Sequence, residues 1–348
     1  MKKMFLFAVA ALVATAVAAP FKVVGFYPYW AQYSQFFPKD VRYQFVTHIH
    51  YASLAPAEDG SLAFADENDA PQFEELAKSA AENNVSLIAS LGGFEVEENL
   101  KAIAGDDSKL ETFCDAAAEW VNKYNLGGVE LDWQNATAED AEAMGKIVSA
   151  LKSKLSSKEV AVMTYGNAMD AYSEALNQAD YVTLMVGDQM SESESSVKPN
   201  LSKQDLEGAV DALVGKGVSK DKIIPVIPLY GKSFAGASGL GSAHQGVGSG
   251  NEGYLPYKEL MKKFEVPDYK VSFDESTASE VAVSDGETIV FTGIPSMKAF
   301  CGMVKNDGMA GIAVYDLSQD HNENIVSLMV TIGLQLRPEV DYSVKKKK

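Results

Sequence analysis

Cysteine is nearly absent from this chain: Cys114 and Cys301 are the only two in 348 residues. A disulfide framework and a cysteine-rich zinc module are therefore excluded, and at most one bridge can form. Histidine is also scarce, at four residues. Of these only His48 and His50 lie close together, inside an apolar run that suits core lining better than metal ligation. No metal and no cofactor are expected. Positive charge is in short supply, with 30 Lys and Arg against 48 Asp and Glu and a net charge of -18. That balance argues against nucleic acid and anionic membranes as partners. The one basic block, Lys345 to Lys348, reads as a solvated tail over 343–348.

No apolar run is long enough to span a bilayer. The longest, Met4 to Val17, falls short of the roughly 18 residues required. Its setting is instead that of a secretory leader. Lys2 and Lys3 precede it, and Ala16-Val17-Ala18 supplies small residues at a cleavage point after Ala18. The expected mature chain starts at residue 19, is exported and is monomeric. Loss of Lys2 and Lys3 leaves 28 basic against 48 acidic residues, a net charge of -20.

What the chain does have is alternation. Eight strand-like runs fall at 23–27, 45–54, 85–91, 128–133, 160–165, 181–186, 223–229 and 311–315. Helical patterns at 72–82, 110–124, 138–155, 203–215 and 294–305 lie between them. Such alternation predicts an α/β fold with a parallel sheet, and about 330 residues suit a single (β/α)8 TIM barrel. Between the seventh and eighth strands, 235–292 starts Gly/Ser-rich and then shows short helix-like and strand-like pieces. It reads as a small α+β insertion. Helices carrying Cys114 and Cys301 would stand on opposite sides of an eight-fold ring, so no bridge is expected.

The segment Gly127-Gly128-Val129-Glu130-Leu131-Asp132-Trp133-Gln134 carries the chemistry. Successive side chains of a strand point to opposite faces. Glu130, Asp132 and Gln134 therefore share one side, while Val129, Leu131 and Trp133 share the other. The polar side is expected to face the barrel mouth and Trp133 to pack under the helices.

This segment resembles the D-G-x-D-x-D-x-E signature of family 18 glycoside hydrolases, the chitinase family. Gly127 stands at the first Asp, Glu130 at the second, Asp132 at the third, and Gln134 at the catalytic Glu. Four further runs resemble family motifs in order: residues 23–30, His48-Ile49-His50-Tyr51-Ala52, Ser90-Leu91-Gly92-Gly93, and Pro228-Leu229-Tyr230-Gly231-Lys232-Ser233-Phe234. The resemblance implies sugar-binding roles for Tyr27, Trp30, Gly93, Phe94, Met185, Asp188, Tyr230 and Tyr315. From the residues alone, Trp30, Phe94 and Tyr230 read equally well as sugar-stacking faces or as core.

Three departures bear on activity. The Glu that protonates the leaving oxygen in a substrate-assisted reaction is Gln134, and an amide has no proton to give near neutral pH. The M-x-Y-D motif, whose Tyr holds the acetamido group, reads Met185-Val186-Gly187-Asp188. The eighth-strand Trp is Tyr315. Together they imply an inactive chitinase-like protein that binds chitin or another N-acetylglucosamine-containing glycan. Two alternatives stand beside it: an active glycosidase whose acid is Glu130 or Asp132, and a protein-binding scaffold or enzyme inhibitor.

Overall fold

The computed structural model describes residues 20–187, 195–340 and 342. Asp188, the expected leader at 1–18 and the expected tail at 343–348 lie outside the described residues.

Eight strands form a closed parallel ring: Lys22–Pro28, His48–Pro56, Ser86–Gly93, Gly128–Trp133, Glu159–Tyr165, Tyr181–Met185, Ile223–Pro228 and Gly311–Tyr315. Each pairs with the next, and the first pairs with the eighth from Lys22↔Gly311 to Gly25↔Val314. All eight strand-like runs are thus strands. The second starts three residues later than expected, because Tyr43–Phe45 is a 3-10 turn.

Side-chain alternation divides the apolar residues into two layers. Val24 and Phe26 of the first strand, Ala161 and Met163 of the fifth, and Ile224 and Val226 of the seventh fill the barrel. Val129, Leu131 and Trp133 join Val23 and Tyr27 in the larger layer between strands and helices. Helices Ala70–Glu82, Glu97–Gly105, Asp107–Tyr124, Ala141–Lys154, Lys203–Gly215, Ile294–Asp307 and Leu328–Leu336 cover that layer. Their ends are set locally. Asp106 accepts from the backbone N–H groups of Ser108 and Lys109, and Ser202 from that of Asp205, as N-caps do. Between the fifth and sixth strands the cover is not an α-helix but two 3-10 pieces, Gly166–Ala171 and Glu174–Gln178.

The insertion folds as a five-stranded antiparallel sheet with one short helix, Tyr257–Lys263. Its strands at Lys270–Asp274 and Glu287–Phe291 match the strand-like pieces. The sheet starts earlier than expected, at Tyr230–Ala235 directly after the seventh barrel strand. Tyr230–Ala235 runs between Tyr254–Pro256 and Glu287–Phe291, so it ties the insertion to the barrel mouth.

Cys114 and Cys301 are free and buried. Burial raises the first thiol to about 11 and the second to about 12, so thiolate is rare at neutral pH. Alkylation of the native protein at neutral pH should therefore be slow at both, with two thiols per chain titrating after unfolding. Rapid modification of either in the native state would contradict this burial.

Candidate functional site

The C-terminal ends of the barrel strands hold the site. The third strand ends in Gly92-Gly93, with φ of 135° and 105°. A Cβ on Gly92 would lie 1.9 Å from the carbonyl oxygen of Asp132. Only glycine lets the backbone close this tightly on the fourth strand, and the closure sets the position of Asp132.

Glu130 and Asp132 both point inward, as their parity requires, but sit at different depths. Glu130 is 0% exposed. Its Oε2 accepts from the Ser90 hydroxyl at 2.7 Å, and its Oε1 accepts from Thr183. His50 Nδ1 lies 3.1 Å from Oε2 but out of line for a hydrogen bond. The other ring nitrogen meets the Tyr181 hydroxyl at 2.9 Å. Burial alone would raise the Glu130 carboxyl. The charge of His50, with the surrounding donors, outweighs it and holds the carboxyl below its usual range. Glu130 thus belongs to a closed polar cluster along the barrel axis and does not reach the cleft. As a candidate acid it is corrected by that burial.

Asp132 lies one step higher, 4% exposed, accepting from the Tyr165 hydroxyl at 2.6 Å. Burial is the main influence on it. Tyr165 and the Gln134 amide pull its carboxyl down, the Glu130 charge pushes it up, and the balance leaves it at about 7. At neutral pH it is therefore shared between its acid and its carboxylate. Gln134 is half-buried at the mouth.

Two adjoining chambers open above these groups. One, of about 520 Å³, is lined by Asp132, Gln134, Gly93 and Phe94. The other, of about 690 Å³, runs to the insertion and is lined by Tyr230, Asn251 and Tyr254. Trp30 and Tyr315 line both and form the waist between them. Trp30 is 39% exposed and Phe94 71% exposed, open faces of the kind on which a sugar ring can stack. Tyr315 is braced from below by Phe26, ring centre to ring centre 5.3 Å.

The structure brings together Asp132, Gln134, Trp30, Gly93, Phe94, Tyr230 and Tyr315. Met185 stands at the end of the sixth strand, paired with Tyr165 and packed on the inner apolar cluster. Tyr27 is a correction. It is buried in the outer layer, its hydroxyl donating to the Phe36 carbonyl at 3.2 Å. Its parity with Val23 turns it away from the cleft. Trp133 packs under the helices, as its alternation requires. The core-lining role expected for His50 is met, but Ser90, Tyr165 and Thr183 were missed as members of the polar core. The available signal was their position as polar residues on the inward face of otherwise apolar strands. Among the described residues no group of three or more His, Cys, Asp or Glu is placed to hold a metal, and no helix is long and apolar enough to cross a membrane.

An inward acid thus stands at the end of a barrel strand, under an aromatic-walled cleft. The chain belongs to the family described as Glycosyl hydrolases family 18, whose model matches residues 22–320. It is similar to Chitotriosidase-1 of Mus musculus, 24% identical over 352 residues covering 86% of this chain and 73% of the mouse protein. It is also similar to Chitinase 1 of Aphanocladium album, 25% identical over 282 residues covering 67% of this chain and 66% of the fungal one. Among solved structures, the Group IV chitinase of Ostrinia furnacalis superposes with a TM-score of 0.85 at 19% identity. That match covers 90% of this chain and 99% of the insect one.

Proposed function

We propose that this protein is exported, binds chitin or another N-acetylglucosamine-containing glycan in the two-chambered cleft, and does not cleave it. The observation that carries the reading is Gln134. It lines the cleft beside Asp132, at the position where the family signature has its proton donor. General acid catalysis contributes ~10²–10⁴-fold, and an amide cannot supply it. Trp30, Phe94, Tyr230 and Tyr315 keep the stacking surface, so binding survives where turnover does not. The test is hydrolysis of chitin oligosaccharides alongside calorimetry with the same sugars. Binding without turnover is the expected result. Turnover by the unaltered protein would overturn it, and the absence of heat with chitin, cellulose and xylan oligosaccharides alike would favour a protein-binding scaffold.

One observation favours a second reading, an active glycosidase. The Asp132 carboxyl, held at about 7, can carry a proton at neutral pH. In that case Asp132→Asn would abolish a measurable hydrolysis by the unaltered protein.

Affinity should be modest, on the order of micromolar to millimolar, because Gly187 offers no side chain and Tyr315 is smaller than Trp. Trp30→Ala is expected to weaken glycan binding roughly tenfold or more, since it removes the face shared by both chambers. Trp133→Ala should instead cost about 3–5 kcal/mol of stability, as a buried aromatic does, with binding by the folded fraction unchanged. Calorimetry together with denaturant titration separates the two effects. Equal loss of binding in both variants would remove Trp30 from the site.

A further inference from the structure

Among the described residues that line the cleft, carboxylates outnumber ammonium groups. The smaller chamber is lined by Glu95 and Asp132, and the larger by Glu259, Asp316 and Lys258. Lys258, the one ammonium among the described lining residues, is already engaged, its Nζ donating to the Ser318 carbonyl at 2.8 Å. Asp316 is occupied in turn, accepting from the Ser318 N–H and the Gln319 amide, each at 2.8 Å. Asp132 accepts from Tyr165.

Two carboxylates remain. Glu95 and Glu259 are both exposed and make no ion pair among the described residues. They stand on either side of the Trp30–Tyr315 waist, one in each chamber. Glu95 follows Phe94, whose ring is open to solvent, and aromatic faces attract ammonium groups as well as stacking on sugars. The chain's net charge of -18 extends the same field beyond the cleft and draws cations toward it.

Resting on the glycan-binding reading, we infer that the cleft prefers partly deacetylated chitin, whose glucosamine units carry free ammonium groups, over the fully N-acetylated polymer. Stacking on Trp30 and Phe94 holds either sugar. The two unengaged carboxylates reward only the ammonium-bearing one, and they repel glycans that carry uronic acids or sulfate.

The experiment is calorimetry at about pH 6, where such an amine keeps its charge, with glucosamine, N-acetylglucosamine and uronic-acid oligomers of equal length. At about 0.01 M salt the glucosamine oligomer should bind at least roughly fivefold tighter than the acetylated one. At about 1 M salt, where the screening length falls to about 3 Å, the two should converge. The uronic-acid oligomer should not bind. Glu95→Gln with Glu259→Gln should cost the glucosamine oligomer roughly two- to fivefold per carboxylate and leave the acetylated oligomer unchanged. Glu111→Gln with Glu119→Gln removes the same charge from the outer face of the helix at 107–124 and should change neither. Binding of the acetylated oligomer as tightly at low salt would overturn the preference while leaving the glycan-binding reading in place. So would an equal effect of the remote pair, which would reduce the preference to bulk charge. If no amino-sugar oligomer binds, the glycan-binding reading falls and this one with it.

Discussion

Gln134→Glu is expected to raise hydrolysis of chitin oligosaccharides from background by roughly 10²-fold, the lower end of the range for a positioned general acid. The position suits the change. Residue 134 lines the cleft next to Asp132, and Glu differs from Gln only in the group that carries the proton. A new carboxylate beside Asp132 would also raise that neighbour's tendency to hold a proton, since like charges at short range disfavour ionisation. The gain should stop short of full activity because Gly187 presents no phenol and Tyr315 a smaller floor than Trp. The measurement is release of chitin fragments over time by the unaltered protein and by the variant. Robust release by the unaltered protein would end the inactive reading. No release from a folded, sugar-binding Gln134→Glu variant would show that the changes at Gly187 and Tyr315 alone suffice to silence the site.

The second large effect lies below the cleft. His50→Ala should destabilise the protein by about 3–5 kcal/mol, the usual consequence of leaving a buried carboxylate without its neighbouring partner. Glu130 is 0% exposed and would keep its donors Ser90 and Thr183 but lose the imidazole whose Nδ1 lies 3.1 Å from its Oε2. The effect should depend on pH in a definite direction. With His50 present the folded-state carboxyl sits below its unfolded value of 4.5. Its contribution is therefore present above about pH 4.5 and lost as pH falls through the folded value. Without His50, burial dominates and raises the same carboxyl, so the variant loses stability as pH rises above about 4.5. The gap between the two proteins should thus be wider at pH 7 than at pH 4. Adding Glu130→Gln to His50→Ala should recover part of the loss, because no buried charge remains. Denaturant midpoints at the two pH values decide it, and a gap independent of pH would mean that His50 acts by packing alone.

Local pattern carried the reading of the fourth strand. Val129, Leu131 and Trp133 alternate with Glu130 and Asp132 over five residues, and a strand has no way to accommodate that pattern except with one set inward and the other outward. The same rule was available for Tyr27 and points the opposite way from the motif. Val24 and Phe26 are inward, so Tyr27, with Val23, is outward. A role transferred by resemblance gave way to parity. Within the insertion the strands Tyr254–Pro256 and Ser279–Val283 were not legible, because they are short and take their order from partners rather than from their own composition.

The barrel, its strand order and the inward face of 128–133 were determined by the sequence alone, because each rests on a repeat visible within a few residues. The relation between Glu130 and Asp132 was decided only by the tertiary structure. The two carboxyls are two residues apart on the same face, yet burial beside His50 holds the first below its usual range while burial without a countercharge holds the second at about 7. That difference comes from His50, eighty positions away in the chain, and from the exclusion of water inside a closed ring. Neither a distant partner nor a local loss of solvent leaves a mark on the spacing of the strand itself.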